Sequence, residues 1–554
     1  MHRFLVIALI VAPSFAAAQA LNPMAIPPAL DLDTFDLTVD EHVHQFYPGI
    51  NTNTYGVNGP YLGPTLILHQ GDTAHFRIHN ELAQVTSMHW HGLAVPGEMD
   101  GGPPREVEPG ETWEVKYKVK NPAGTYWYHP HPHMLTAFQA TQGVAGMLLV
   151  KDAAEAAIDL PRTYGIDDFP VVVQDRRFLP GGNFFLGPYG DSVLVNGTPR
   201  PFLECPAQVV RLRLLNGSNS RIYALGFEDG RQFRMIAGDG GLLSAPVAMQ
   251  RLWLGNGERA EVLLDLTGME GDSLLLMSYG SELPVTVPGS NNMMMESSIL
   301  NGVDFPVLRI RVGAPTADPV TAIPNALVPV IPYDEGSAVR TRTKLLTGTG
   351  MVGSMGMFFI NGVQFDMDVV NDTVLLGSTE IWNIQNFSNM AHPMHIHGGS
   401  FYILDRDGQS PPAWERGAKD VVLLDAGSSA RVIMRFDEPT NGWPFMYHCH
   451  NLMHEDNMMM LQYIVTDVTT SAPGMQADQP LRVFPSPAVS LISIRAEQPF
   501  RQAELFTLQG CRVRNWEGVA SKEAAMDLSD LPAGAYLLRV SGNGHTARTT
   551  VIRE

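Results

Sequence analysis

Residues 386–398 read Asn-Phe-Ser-Asn-Met-Ala-His-Pro-Met-His-Ile-His-Gly. An alternating, β-type segment closes on Asn386, and the pattern His395-Ile396-His397-Gly398 follows it. The same succession occurs twice more upstream. Turns at Asn58-Gly59, Asn196-Gly197 and Asn361-Gly362 lead into segments that end at Asn80, Asn216 and Asn386. After these asparagines come His89-Trp90-His91-Gly92, Tyr223-Ala224-Leu225-Gly226 and His395-Ile396-His397-Gly398. Self-similarity on this scale points to repeated domains. Short alternating runs such as Glu114–Val119, Val209–Leu215, Glu261–Leu266 and Arg431–Phe436, punctuated by Gly, Pro, Asn and Asp, make each one an all-β sandwich. The reading is three β-sandwich domains, of which the middle one has no histidine pair.

The expected bounds are about 25–155, 165–313 and 340–468, with the Pro- and Ala-rich stretch Ala314–Pro332 as a connector. A Ser-, Thr- and Pro-rich linker over 469–482 leads to a fourth, smaller β unit at 483–554. The 554 residues suffice for several domains with cores of their own, and 45% apolar content excludes disorder. With 57 acidic residues against 37 Lys and Arg, the net charge of −20 argues against nucleic acid and anionic membranes as partners. Residues 1–20 read as a secretory signal peptide: Arg3, the apolar run Phe4–Ala12, then small residues closing on Ala18-Gln19-Ala20. No later segment is continuously apolar for long enough to make a transmembrane helix. Three cysteines, Cys205, Cys449 and Cys511, are too few for a disulfide framework.

Of the 18 histidines, ten fall in four clusters: His89-Trp-His91, His129-Pro-His131, His392-Pro-Met-His395-Ile-His397, and His448-Cys449-His450 with His454. Imidazoles so crowded would only add desolvation and repulsion unless they bind metal. With a thiolate among them, the ligands suit zinc, copper or iron rather than calcium or magnesium. Strand alternation divides them between two sites. His448 and His450 point one way and Cys449 the other, while His392 can face opposite to His395 and His397. His454 can fold back towards Cys449, and Met459 follows ten residues after the cysteine. Two His, one Cys and a distant Met form the blue-copper arrangement of electron transfer. The eight remaining histidines, two from each cluster, suit a polynuclear centre. One peptide bond joins the two sites, which is the logic of a multi-electron oxidase.

At these residues the chain resembles the multicopper oxidases, the family of laccases, bilirubin oxidases and bacterial cuprous oxidases, over roughly residues 40 to 466. The resemblance implies three cupredoxin-like Greek-key β-sandwich domains and four coppers per chain. His392, Cys449, His454 and Met459 would hold the type 1 copper, and His89 and His395 the type 2. The binuclear type 3 pair would take His91, His129 and His450 on one ion and His131, His397 and His448 on the other. It also implies that Asp100 and Glu455 deliver protons, and that single electrons from reducing substrates convert O2 to water. His133 has no ligand role in the family pattern, and Met458 and Met460, of opposite parity to Met459, should pack the core.

The reductant is either a phenolic or aromatic donor or Cu(I). Clustered methionines, Met293–Met295 and Met351, Met355 and Met357, could handle Cu(I). In cuprous oxidases an Asp four residues before the first type 1 His and a Met two before it bind substrate copper; here these positions are Ser388 and Met390. A copper-binding or scaffold protein of the same fold without oxidase activity is the alternative. Residues 483–554, with Leu531-Pro-Ala-Gly-Ala-Tyr536, resemble the small β-sandwich sorting domain of type IX secretion. That implies the type IX machinery as a partner and a secreted or cell-surface location.

Overall fold

The Asn-Gly turns and the strand-ending asparagines are one piece of structure built three times. Asn58, Asn196 and Asn361 sit in left-handed backbone at φ 54°, 49° and 55°, a conformation asparagine tolerates. Each side-chain Oδ1 accepts from a main-chain N–H of a strand in its own sandwich: Thr38 at 2.7 Å, Val172 at 2.8 Å, Leu345 at 2.8 Å. Asn80, Asn216 and Asn386 are a second matched set. Their Oδ1 atoms accept, at 3.0 Å each, from the N–H two residues on, at Leu82, Ser218 and Ser388. Their Nδ2 groups donate to main-chain carbonyls of the following loop and of a more distant segment: Gln84 and Val107, Arg221 and Leu254, Met390 and Leu424. Because each loop is clamped at both ends, the next strand starts at a fixed place, and those strands are His89–His91, Tyr223–Phe227 and His392–Ile396.

The structure is a computed structural model that describes residues 20–292, 297–349, 357–467, 481–485, 488–507, 512–542 and 545–553. The expected leader up to residue 19, Met293–Met295, Met351, Met355, Cys511 and nearly all of the 469–482 linker lie outside the described residues. Six sheets form three sandwiches within residues up to Asp467, and a seventh belongs to a separate compact unit from Val468 onwards.

In the first sandwich, Thr34–Tyr47, Ile50–Val57, Thr73–Asn80 and Thr112–Lys118 face a sheet that contains His89–His91 and Gly124–His129. Its core holds Phe35, Phe76, Trp90, Tyr126 and Tyr128. The third sandwich pairs a sheet built on Ala338–Thr349 and Thr379–Asn386 with one containing His392–Ile396, Phe445–Cys449 and Met460–Thr466. The middle sandwich is the largest, and the short strand Asn22–Pro23 pairs with its edge at Pro201–Phe202. The Ala314–Pro332 connector lies along that sandwich: Val320 accepts from the N–H of Val209 at 2.8 Å, and Ile323, Leu327 and Val328 pack on Leu160 and Ile236.

The C-terminal unit is a five-stranded sheet with a core of Ile492, Ile494, Phe500, Leu505, Leu538, Val540 and Val551. Its Leu-Pro-Ala-Gly-x-Tyr turn closes on itself, the Tyr536 hydroxyl donating to the Pro532 carbonyl at 2.7 Å.

Candidate metal centres

Strand His392–Ile396 runs antiparallel to Phe445–Cys449, with His395 opposite His448 and Met394 opposite Cys449. Alternation sends these two rows to opposite faces. Met394 and Cys449 enter the core of the third sandwich together with Met459. His395 and His448 leave it and meet the first sandwich, where His89 lies opposite His129.

On the inner face, Cys449 Sγ lies 3.4 Å from His392 Nδ1 and 3.5 Å from His454 Nδ1, and the three could share one ion. Helix Leu452–Asp456 folds His454 back, its start capped by Asn451 accepting from the Met453 N–H at 3.2 Å. Met459 is fully buried in the same core, and its main chain bonds both Cys449 and His454. Phe358 covers the site, its ring centroid 4.8 Å from His392 and 4.5 Å from His454. Met460 is buried and Met458 packs beside it around Phe365 and Met446, so both fill space. Ser388 adds a contact that its position alone did not disclose. Its Oγ donates to an oxygen, Asn386 Oδ1 at 2.7 Å or the Met390 carbonyl at 3.0 Å, so it accepts from His392 Nε2–H at 2.7 Å. The His392 Nδ1 lone pair therefore faces the sulfur.

On the outer face, all eight remaining imidazoles converge, and oxygen acceptors fix which nitrogen carries the proton in six of them. Main-chain carbonyls of Asp100, Pro130 and Asp420 sit at 2.9, 2.9 and 2.7 Å from Nδ1 of His89, His129 and His395. Asp100 Oδ2 is 2.8 Å from His397 Nδ1. The Cys449 carbonyl is 3.2 Å from His448 Nδ1, and one carboxylate, Glu455, stands beside two rings without a directed hydrogen bond, 3.2 Å from His131 Nδ1 and 3.1 Å from His448 Nδ1. Asp420 Oδ1 is 3.1 Å from His91 Nε2. On those six rings the opposite nitrogens consequently turn inward as bare lone pairs. His448 Nε2 meets Nε2 of His131 and His397 at 3.3 and 3.1 Å; His91 Nδ1 meets Nε2 of His129 and His450 at 3.3 and 3.1 Å. Nε2 of His89 and of His395 are buried with no protein partner. Lone pairs aimed at each other repel, and a cation between them removes the repulsion; nitrogens about 2.0–2.1 Å from one tetrahedral ion stand at roughly this separation. Copper fits this donor set, with thiolate on one face and imidazole on both. His133 is apart from these groups and packs against Phe365, ring centroids 5.5 Å apart.

Burial, aided by neighbouring rings, holds His91, His129, His131, His392, His395, His397 and His450 well below the usual imidazole range, and burial brings His454 to about 3. All are neutral, which is the ligand form. Burial pushes the Cys449 thiol up, so a bound cation is what would release its proton.

The structure thus brings together all twelve expected ligand residues and both carboxylates, Asp100 and Glu455, each almost fully buried. Asp420 was missed in the sequence reading: it contacts His91 and His395 and shares a potential ion-binding group with them. A single acid ahead of the apolar run Val421–Leu424 gives no local signal of this.

Comparison with known proteins agrees with this geometry. Residues 38–155 and 337–468 match models of the multicopper oxidase family, and residues 482–554 match the secretion system C-terminal sorting domain. A multicopper oxidase of Staphylococcus haemolyticus is 34% identical over 434 residues, covering 76% of this chain and 86% of that one. The cell division protein FtsP of Escherichia coli is 33% identical over 466 residues, 82% of this chain and 94% of its own. Among solved structures, the laccase-like multicopper oxidase CueO from the lignin-degrading bacterium Ochrobactrum sp., described as active towards lignin model compounds and lignosulfonate, aligns with a TM-score of 0.72 at 34% identity. That alignment covers 80% of this chain and all of the other. The chain belongs to the multicopper oxidase family and is a copper-dependent oxidoreductase with a secretion sorting domain at its C-terminus.

Proposed function

We propose that the protein is an exported oxidase that takes electrons singly from small reducing molecules at the Cys449 site and delivers them to the eight-histidine site, where four of them reduce O2 to two waters. The ligand roles follow the family pattern: His392, Cys449, His454 and Met459 for the type 1 copper, His89 and His395 for type 2. His91, His129 and His450, and His131, His397 and His448, serve the type 3 pair. When bound, the copper ions supply one-electron redox chemistry on one face and a place for dioxygen on the other. The observation that supports this best is the convergence of imidazole nitrogens, 3.1–3.3 Å apart, on either side of His448 and His91.

The chain's own residues do the remaining work. Cys449 is bonded through one peptide to His448 and through the next to His450, so the sites are covalently joined. Reducing O2 to water consumes a proton for every electron, inside a site closed to solvent. Glu455, between His131 and His448, and Asp100, beside His397, would relay those protons, a role that their nearness to the rings supports. Carbonyl and carboxylate acceptors hold the imidazoles in one tautomer and one orientation, which limits the rearrangement needed on each electron transfer.

For the donor, the reading favours phenolic or other small aromatic reductants over Cu(I). Ser388 is turned inward to hold His392, and Met390 is buried, so neither is presented to a substrate ion. Export runs through a leader at residues 1–20 and the type IX machinery, to the cell surface or medium. Similarity to FtsP, a cell division protein, is the ground for keeping a second reading, a copper-binding or scaffold protein of the same fold without oxidase activity; the complete donor set weighs against it.

The test is the visible and EPR spectrum and copper content of the loaded protein beside Cys449→Ser. An intense blue thiolate-to-copper band in the wild type, about four coppers per chain, and loss of the band in the variant are expected. A loaded wild type without that band would move the protein to the second reading. Oxygen uptake with a phenol against Cu(I) then identifies the donor.

A further inference from the structure

Arg259 belongs to the middle sandwich, which gives no histidine to either site, yet all three sandwiches meet at its guanidinium. The side chain is fully buried at the start of strand Arg259–Asp265. An arginine has five N–H donors, and every one is used. Nε donates to the Thr125 carbonyl at 3.0 Å, on the first-sandwich strand that leads to His129. Nη1 donates to Gly257 O at 3.1 Å and Nη2 to Asp239 O at 2.8 Å, both in the middle sandwich. The two remaining N–H groups grip Asp420 of the third sandwich, Nη1 to Oδ1 and Nη2 to Oδ2, each at 2.6 Å. This two-pronged geometry is strong and leaves the carboxylate little freedom to turn.

What Asp420 then does is set by that grip. Its Oδ1 meets His91 Nε2 at 3.1 Å, and its main-chain carbonyl receives His395 Nδ1 at 2.7 Å. The residue before it is anchored to the same sandwich, Lys419 Nζ reaching Asp239 at 2.8 Å and Glu258 at 3.0 Å. Gly92, next to His91, makes room for the pair. A Cβ there would stand 2.3 Å from Asp420 Oδ2 and 2.7 Å from Arg259 Nη2, and its φ of +87° already favours glycine.

We propose that Arg259 is a positioning residue for the eight-histidine site: by clamping Asp420 it fixes the tautomer of His91 and the direction of the His395 ring. The middle sandwich thereby tunes a centre to which it contributes no ligand. The inference rests on the copper reading above.

The experiment compares Arg259→Gln, Asp420→Asn, the double variant and Arg259→Lys as full-length, copper-loaded proteins, by visible and EPR spectra, copper content and thermal unfolding. Each single variant is expected to keep the blue band, to bind copper at the histidine site 10–100-fold more weakly and to show an altered type 2 EPR signal. The double variant should be no worse than Asp420→Asn, since the arginine acts through that carboxylate. Arg259→Lys keeps the charge but not the grip, so it should restore the signal only in part. A folded Arg259→Gln with full copper and an unchanged type 2 signal would overturn the proposal, even if its unfolding temperature fell. So would a double variant whose losses multiply. If Arg259→Gln does not fold, Arg259→Lys decides: a wild-type signal there overturns the proposal. A wild type lacking both copper signals would sink the underlying copper reading instead, and is told apart by that.

Discussion

Glu455 shows how much one carboxylate does here. It lies within 3.2 Å of two histidine nitrogens that belong to the same proposed ion, and its oxygens make no well-directed hydrogen bond within the protein. Glu455→Gln keeps the shape beside the two imidazoles but has no carboxyl proton to relay. The expected outcome is retained copper and blue band, with O2 consumption slowed 10²–10⁴-fold. Anaerobic stopped-flow checks the assignment: bleaching of the blue band by the donor should proceed at the wild-type rate, and slowed bleaching would place Glu455 in electron entry. Asp100 and Glu455 were legible in the sequence through the family pattern. Asp420 and Arg259 were not, because they stand 161 positions apart and become partners only when the second and third sandwiches pack. Ser388 was legible as a departure from the family, but its bond to His392 depends on how the Asn386 loop closes.

At the scale of elements, strand alternation divided the histidines correctly because it is a local property of the backbone. The same rule misleads in the middle sandwich. Val209–Asn216 alternates apolar with charged, which reads as one face in solvent, yet every residue of it is buried. Arg211 and Arg213 face an interface between sandwiches, where they pair with Glu261, Glu155 and Asp168, and Thr125 of the first sandwich bonds Glu261 at 2.7 Å. No single strand reports that a second sandwich covers it. The cluster also makes an acid-sensitive contribution. Burial raises the Glu261 pKa, but the Arg211 and Arg213 charges outweigh it and hold the carboxyl at about 2 against an ordinary 4.5. A folded-state value below the unfolded one means stability that is present above pH 4.5 and lost as the pH falls towards 2, on the order of 3 kcal/mol. Denaturant unfolding against pH should show Glu261→Gln less stable than wild type near neutrality by about 3–5 kcal/mol, with the gap closing across that window. A constant gap would mean the carboxylate is not ionised in the fold.

For the whole molecule, the residues up to Asp467 and the unit after it are separate compact bodies, each with its own core. A chain ending at Asp467 should therefore keep the blue spectrum and the turnover of the full chain. It should stay in the periplasm, while the intact protein reaches the surface or medium, as cell fractionation would show; equal distribution of the two would remove the sorting role of residues 482–554. The matched asparagines bear on the order of events in the cell. Asn216 holds the middle copy in the same bonding pattern as Asn80 and Asn386, yet the strand it positions presents Tyr223 and Leu225 where the others present histidines. The pattern closes without any metal to draw it together. The expected outcome is maturation in two stages, first a finished shape and afterwards its charging: chain made without copper should fold as the loaded protein does, and addition of the metal afterwards should bring up its blue band.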